Sequence, residues 1–260
     1  MPLATIGSGR IEFGSDFTGL YDSVAWGTAQ LVAGEGLGNG LGFTSVNEGS
    51  FATTVDESGG ILAITTDTGD NDNAAIVAGK FCPRDGKMVL RTRFKYSSAT
   101  TPSIWVGFSE TLALDTPVMP VEFATGTTLT VNPGGGIGLL FDIDATVDDF
   151  RALMVDGSAT ISDTGVLGTR ASATMTADRW FEAEVILNED GSGECWLGDS
   201  GHTNSLLMNK RRLIKRFSTG TLLTSTDLFY AVLMIENRSA AANVLEVDYF
   251  YGEGGRDWRY

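Results

Sequence analysis

The chain has 260 residues, 42% of them hydrophobic and 20% charged, a composition typical of a globular protein rather than a disordered one. Its formal net charge of −15 argues against DNA or RNA as the main partner, because phosphate binding requires a basic surface. The longest apolar run, residues 228–235, is far shorter than the roughly 18–20 residues that span a bilayer. We therefore expect a folded protein that binds neither nucleic acid nor membrane.

The first 60 residues have the weakest pattern. Residues 1–13 lack the basic stretch and apolar stretch of a secretory signal, so we expect the protein to fold inside a cell. Residues 1–10 are interpreted either as an extended arm or as a frayed terminus. The glycine-rich segment 27–50 predicts a loop region. No linker composition separates a second domain, so 1–260 are predicted to form a single domain.

Beyond residue 60, apolar and polar residues alternate with a period of two, which predicts half-buried β-strands. In 88–96, Met88, Leu90 and Phe94 share one face while the basic side chains occupy the other. The run 228–236 is apolar on both faces and predicts a central strand buried on two sides. The predicted strands are 88–96, 103–109, 136–144, 151–156, 180–188, 193–199, 228–236 and 243–252.

Glycine- and aspartate-rich turns join these strands, and Asp-Gly and Gly-Gly pairs are hairpin signals. One segment, 205–217, has apolar residues at helical spacing and predicts a single helix, although a bent strand would also accommodate it. Many antiparallel strands with at most one helix imply two packed sheets. The predicted fold is therefore all-β: a two-sheet antiparallel β-sandwich of jelly-roll type.

Several carboxylates share strand faces and are candidates for catalytic groups. Retaining glycosidases need two carboxylates about 5–5.5 Å apart, and Glu246 and Asp248 share a face, as do Glu182 and Glu184. The next carboxylate, Glu253, lies seven residues after Glu246 and on the opposite face. We interpret both pairs as solvent-facing sides of strands and predict no catalytic residues.

The sequence evidence for metal and cofactor sites is equally weak. The segments 67–73 and 142–149 are rich in aspartate and could hold Ca²⁺, but they lack the glycine and closing glutamate of an EF-hand loop. Aspartate turns that cap backbone N–H groups are the favoured interpretation. The single histidine, His202, lies in a loop-like segment without a nucleophile motif, and two cysteines, Cys82 and Cys195, are interpreted as buried thiols. We predict neither a cofactor nor a metal.

A cluster of basic residues interrupts the acidic chain. Its members are Lys210, Arg211, Arg212, Lys215 and Arg216. Two interpretations are open: a docking patch for an acidic neighbour, including another copy of this chain, or a solvated face.

The second half of the chain resembles the concanavalin A-like lectin/glucanase sandwich, in a form found in bacteriophage virion proteins. The resemblance covers 60–260 and leaves 1–60 unassigned. The residues that carry it are Trp180, Val185, Gly191, Asn237, Arg238, Ser239, Ala240, Ala241, Leu245, Val247, Asp248 and Tyr249.

This resemblance implies a non-enzymatic virion structural protein, a capsid decoration protein of the phage head. The expected partners are the major capsid protein or another virion protein and further copies of the chain in a homo-oligomer. The expected location is the virion, assembled in the host cytoplasm. A carbohydrate-binding, lectin-like module is the alternative, so a glycan partner stays open, and a β-glucanase-type glycoside hydrolase is a third interpretation.

Overall fold

The computed structural model describes residues 10–15, 17, 26–27, 41–45, 49–54, 60–98, 102–110, 112, 117–132, 134–146, 148–156, 159–165, 179–199, 211–218 and 228–255. In these ranges the chain forms strands and one short 3₁₀ turn, Pro83–Asp85. Within the same ranges there is no helix of the length and hydrophobicity that a membrane span requires. The predicted all-β class is confirmed.

The strands are numbered in chain order. They are β1 (Arg10–Ser15), β2 (Trp26–Gly27), β3 (Leu41–Ser45), β4 (Ser50–Thr53), β5 (Leu62–Thr65), β6 (Asn73–Phe81), β7 (Met88–Ser98), β8 (Pro102–Ser109), β9 (Val121–Thr125), β10 (Thr128–Val131), β11 (Gly136–Asp142), β12 (Arg151–Asp156), β13 (Ala159–Gly165), β14 (Trp180–Leu187), β15 (Gly193–Asp199), β16 (Arg212–Phe217), β17 (Phe229–Asn237) and β18 (Val244–Gly255).

Two antiparallel sheets pack face to face. The nine-stranded sheet has the order β16-β15-β14-β7-β18-β5-β4-β2, with β1 also paired to β18. The seven-stranded sheet has the order β13-β12-β11-β8-β17-β6-β3. Strands β9 and β10 form a separate hairpin. The eight strands predicted from alternation all occur, and β17 lies between β8 and β6 as expected of a strand buried on two sides.

The main core fills the space between the sheets. On β7, Met88, Leu90, Phe94 and Tyr96 are buried, while Arg91 on the opposite face is exposed. Aromatic rings stack and tilt against one another at the centre of this core, where the ring centroids of Phe150 and Phe181 are 5.3 Å apart. Period-two alternation therefore places one face of each strand in this core, as predicted.

A second apolar cluster covers the other face of the seven-stranded sheet. Along β17, Ala231, Leu233 and Ile235 enter the main core, while Val232 and Met234 enter this second cluster. The segment 117–125 lies over them and contributes Met119, Val121 and Phe123. Burying each such Val, Met or Phe side chain contributes roughly 1.5–3 kcal/mol relative to exposure. The hairpin thus closes the outer face of the seven-stranded sheet.

The structure corrects the predicted helix at 205–217. Residues 212–217 form β16, the edge strand of the nine-stranded sheet, and 205–210 lie outside the described residues. The pairing with β15 shifts register between Cys195 and Trp196. This irregularity lets Ile214 and Phe217, three residues apart, both pack on the main core. A bulged strand therefore reproduces the spacing of a helix.

The predicted loop at 27–50 is also corrected in part, because Leu41–Ser45 form β3 and pair with β6. Of the predicted arm at 1–10, Arg10 belongs to β1, which pairs with β18, and residues 1–9 lie outside the described part of the chain.

Candidate functional site

The carboxylates Glu246 and Asp248, considered above as catalytic groups, lie on β18 on the outer face of the nine-stranded sheet. Glu246 Oε2 is 2.5 Å from Lys95 Nζ, and Asp248 Oδ2 is 2.5 Å from Arg93 Nη1. Glu253 is further along the strand, opposite Glu12 of β1. Each of the first two carboxylates therefore faces a cation on β7 rather than the other carboxylate, and β18 lies inside the sheet, not at its edge. This is a cross-strand ion-pair face.

Glu182 and Glu184 extend the same face on β14. Arg211 bridges them, with Nε 3.4 Å from Glu182 Oε1 and Nη1 2.8 Å from Glu184 Oε2. Arg91 also pairs with Glu184. Tyr249 donates its hydroxyl to Glu182 at 2.9 Å, and burial followed by the charge of Glu182 raises the pKa of this tyrosine. Both glutamates thus lie on the outward side of the strand, where they are engaged by neighbouring side chains.

The predicted basic patch is divided between the two faces of the sheet. Arg211 and Arg216 are engaged in ion pairs on the outer face, the latter with Glu194 at 2.8 Å. Arg212 and Lys215 stand opposite the inward residues Leu197 and Cys195 on the edge strand β16. Lys210 lies outside the described residues. The docking role of these five residues stays a prediction.

A different cluster, which the sequence did not predict, forms where the seven-stranded sheet meets the hairpin. Its centre is Arg238, just after β17, whose side chain is only 6% exposed. Arg238 Nη1 lies 2.6 Å from Glu122 Oε2 on β9, and Nη2 lies 2.8 Å from Asp142 Oδ2 at the end of β11. Glu236 Oε1 and Asp144 Oδ2 lie 3.0 and 3.8 Å from the same guanidinium. We call Arg238 and these four carboxylates the Arg238 cluster.

Burial and charge explain the electrostatics of the Arg238 cluster. Burial raises the pKa of Glu236 to about 8, because Arg238 is shared with other carboxylates and offsets the desolvation only in part. Burial alone would lower the pKa of Arg238, but hydrogen bonding to Asp142 and the surrounding negative charge raise it. Burial and the charge of Asp142 raise the pKa of Asp144. The guanidinium thus stays charged while the carboxylates compete for it.

Asp142 also ties the hairpin to the sheet. Its carboxylate is fully buried and accepts hydrogen bonds from the backbone N–H of Phe123 at 2.7 Å and of Asp144 at 3.0 Å. Thr146, further along the same loop, donates its backbone N–H to the Gly126 carbonyl in the hairpin turn at 2.9 Å. Backbone bonds and ion pairs therefore hold the hairpin over the second cluster.

The neighbouring residue Asn237 joins two loops beside the Arg238 cluster. Its Nδ2 donates to the carbonyls of Asp67 at 2.5 Å and Gly69 at 2.9 Å. Its Oδ1 accepts from Thr66 Oγ1 and from Asn243 Nδ2, both at 2.6 Å. The Asn237 amide, together with backbone hydrogen bonds between the two segments, therefore holds the loop 66–73 against the turn 237–243.

The two aspartate-rich segments are built as capping turns. Asp72 Oδ2 accepts from the Gly69 N–H at 2.6 Å, and Asp142 accepts from the backbone of Asp144. In the described part of the chain, no three His, Cys, Asp or Glu side chains are arranged to hold a metal ion. The capping interpretation is confirmed for Asp72 and Asp142.

The exposed surface beside the Arg238 cluster, at one end of the sandwich, is polar. Asp70, Asn71 and Thr146 are exposed, and the Asp144 side chain is 45% exposed. Arg238 Nη1 lies 3.4 Å from Asn71 Oδ1, so the buried guanidinium reaches the surface through this amide. We call Asp70, Asn71, Asp144 and Thr146 the polar rim.

The two cysteines are free thiols. No disulfide joins Cys82 and Cys195, and burial raises the pKa of the Cys195 thiol. Cys195 is buried as predicted, whereas Cys82 is only half-buried. His202 lies outside the described residues.

We expect Asn237→Ala to lower the free energy of unfolding by about 2–4 kcal/mol, because it leaves several buried donors and acceptors without partners. Urea unfolding monitored by fluorescence measures this. Asn188→Ala is the matched control, since that side chain donates one bond to Ser192 in a surface turn. Equal losses in the two variants would contradict the role given to Asn237.

Glu236→Gln tests the electrostatics of the Arg238 cluster. The pKa of Glu236 is about 8 in the fold and near 4.5 in the unfolded chain, so its contribution to stability is complete below pH 4.5 and is lost as pH rises through 8. The variant should therefore gain stability relative to the wild type between pH 5 and pH 9, by on the order of 3 kcal/mol. Urea midpoints across that range measure it, and a pH-independent difference would refute the assignment.

Comparison with known proteins shows the fold and no more. No protein-family model and no curated protein matches the chain. Among solved structures, the protein of unknown function SO2946 from Shewanella oneidensis MR-1 is 12% identical with a TM-score of 0.58, covering 95% of this chain and 87% of that one.

Two further solved structures are similar over most of their length. Peanut lectin is 9% identical with a TM-score of 0.56, covering 94% of this chain and 97% of that one. The exoplasmic/lumenal domain of VIP36, in its Ca²⁺/Man-bound form, is 9% identical with a TM-score of 0.52, covering 93% and 88%. The chain therefore has a legume-lectin-like, concanavalin A-like β-sandwich fold, as the sequence resemblance implied.

Proposed function

We propose that the protein is a non-enzymatic, lectin-like binding protein that recognises a neutral glycan at the polar rim. The observation that carries this proposal is the set of exposed polar side chains organised by the Arg238 cluster at one end of a lectin-like sandwich. The binding alternative raised by the sequence is thus preferred to the virion interpretation.

The outer faces of the two sheets are covered or occupied by ion pairs, which supports the polar rim as the binding surface. The outer face of the seven-stranded sheet is closed, because the hairpin residues Val121 and Phe123 bury Val232 and Met234. On the outer face of the nine-stranded sheet, the carboxylates described above are engaged with Lys and Arg side chains. The same pairing argues against glycoside hydrolysis by Glu246 and Asp248.

The chemistry of the rim suits hydroxyl groups. The Asp70 and Asp144 carboxylates are acceptors for sugar hydroxyls, and the Asn71 amide offers both donors and an acceptor. Asn71 and Asp144 are both near Arg238, which restricts their positions before a ligand arrives. The acidic surroundings and the net charge of −15 disfavour anionic glycans. The similar VIP36 domain, whose structure is in a Ca²⁺/Man-bound form, also favours a sugar ligand.

A glycan array followed by titration calorimetry tests this proposal. We expect binding to neutral glycans, and we expect Asp144→Ala to weaken it by about 10-fold, or about 1.4 kcal/mol, because a hydroxyl acceptor is lost. Asp190→Ala is the matched control, since Asp190 is an exposed aspartate in the β14–β15 turn. Absence of binding to every neutral glycan, or equal weakening by the two substitutions, would overturn the proposal.

A second candidate is the virion role, which the sequence resemblance over 60–260 favours. In this proposal the protein decorates a phage head as a homo-oligomer, assembled in the host cytoplasm, and contacts the major capsid protein or another virion protein. The edge strand β16 supplies basic side chains for an acidic neighbour, with Arg212 and Lys215 on the side of the strand away from the ion-pair face.

Light scattering and co-sedimentation with empty shells of a candidate phage test the virion role. We expect an oligomer that sediments with the shells, and we expect Arg212→Glu with Lys215→Glu to abolish the association by charge repulsion. Arg84→Glu with Lys87→Glu is the matched control, because both residues are exposed and lie between β6 and β7, away from β16. A monomer that ignores the shells would remove this candidate and leave the glycan proposal standing.

A further inference from the structure

The positive charge at the centre of the Arg238 cluster is a side chain of the protein, the Arg238 guanidinium, and not a bound ion. Three of its carboxylates come from segments far from Arg238 in sequence, since Glu122 lies 116 residues away, Asp142 ends β11 and Asp144 lies in the loop that follows. Glu236, from the end of β17, completes the set. A single buried guanidinium therefore joins two strand ends, a loop and the hairpin.

This arrangement differs from the coordination that Ca²⁺ requires. Calcium takes about 6–8 oxygen ligands at about 2.3–2.6 Å from one point. Here the carboxylate oxygens face different nitrogen atoms of a planar group, because Glu122 lies on Nη1 and Asp142 on Nη2. Asp142 also accepts two backbone N–H groups, which leaves less capacity for a metal. The residues present do not fit a divalent cation while Arg238 stands among them.

We infer that Arg238 is an internal replacement for a divalent cation, which assembles this end of the sandwich without a metal. The guanidinium neutralises part of the carboxylate charge and holds the hairpin, the β11–β12 loop and the end of β17 together. This inference is independent of the glycan proposal, because it concerns how the loops are held and not what they bind.

Removal of the guanidinium would leave the carboxylates of the Arg238 cluster without the cation that they share. Arg238→Ala leaves its four carboxylate partners facing a space that they formerly shared with a positive charge. Asn73 lies beside them, because its Nδ2 is 3.4 Å from Glu236 Oε2, and its buried Oδ1 has no hydrogen-bond partner among the described residues. Carboxylate and amide oxygens are the ligands that Ca²⁺ prefers. The variant should therefore acquire a dependence on calcium that the wild type lacks.

Thermal unfolding of the full chain tests this inference, with EDTA or with millimolar CaCl₂, for the wild type, Arg238→Ala and Arg238→Lys. The lysine variant keeps a charge but cannot reach all the carboxylates, so it provides a milder disruption if the alanine variant does not fold. Arg93→Ala is the matched control, because it breaks an ion pair to Asp248 on a strand face.

We expect the wild-type melting temperature to be the same in EDTA and in CaCl₂. At least one Arg238 variant should melt lower than the wild type in EDTA and recover by on the order of 5 °C in CaCl₂. Arg93→Ala should not recover. A wild-type protein that loses stability in EDTA or gains it in CaCl₂ would overturn the inference. So would the absence of any Arg238 variant that gains more from CaCl₂ than Arg93→Ala does.

Discussion

Burial of both faces of β17 is the constraint on which the rest of the structure depends. One face, with Leu233 and Ile235, enters the core between the sheets, and the other, with Val232 and Met234, needs a second cover, which the hairpin supplies. Without that cover the seven-stranded sheet would expose a contiguous apolar surface, which soluble monomers rarely do. The strand then ends in Glu236 and Asn237, followed by Arg238, so the polar groups that organise the loops begin where the apolar strand stops.

The outer faces of the two sheets differ in chemistry. The nine-stranded sheet carries a lattice of cross-strand ion pairs, in which Arg93 also lies 4.5 Å from the centre of the Trp180 ring. The seven-stranded sheet is apolar on its outer face and is closed by the hairpin. Partly exposed ion pairs contribute little to stability, so the cross-strand pairs mainly keep the outer face of the nine-stranded sheet charged and solvated. Among the described residues, the end of the sandwich where the loops and the hairpin meet has polar groups that are both exposed and held in position.

Sequence patterns predicted the strands because alternation reports a local property, the side of the sheet to which each residue belongs. The same reasoning failed at β16, where a register shift brought Ile214 and Phe217 to one side and imitated a helix. It also missed the Arg238 cluster, because Arg238 meets Glu122 and Asp142 across 116 and 96 residues of sequence. A carboxylate at the end of an apolar run, Glu236, was the one local sign that a buried charge needed a partner.

A buried cluster of this kind adds little net stability, because the desolvation of each charge offsets much of the attraction between the charges. Its effect lies in geometry: a guanidinium is planar and offers several donors in set directions, so it holds carboxylates from separate elements at defined positions. The Asp142 carboxylate makes two such connections, because it binds Arg238 and also accepts a hydrogen bond from the backbone N–H of Phe123 in the hairpin. The hairpin that covers β17 and the loop that carries Asp144 are thereby both bonded to the Asp142 carboxylate. If Arg238 takes the place of a divalent cation, as we infer, the position of the polar rim does not depend on the supply of ions.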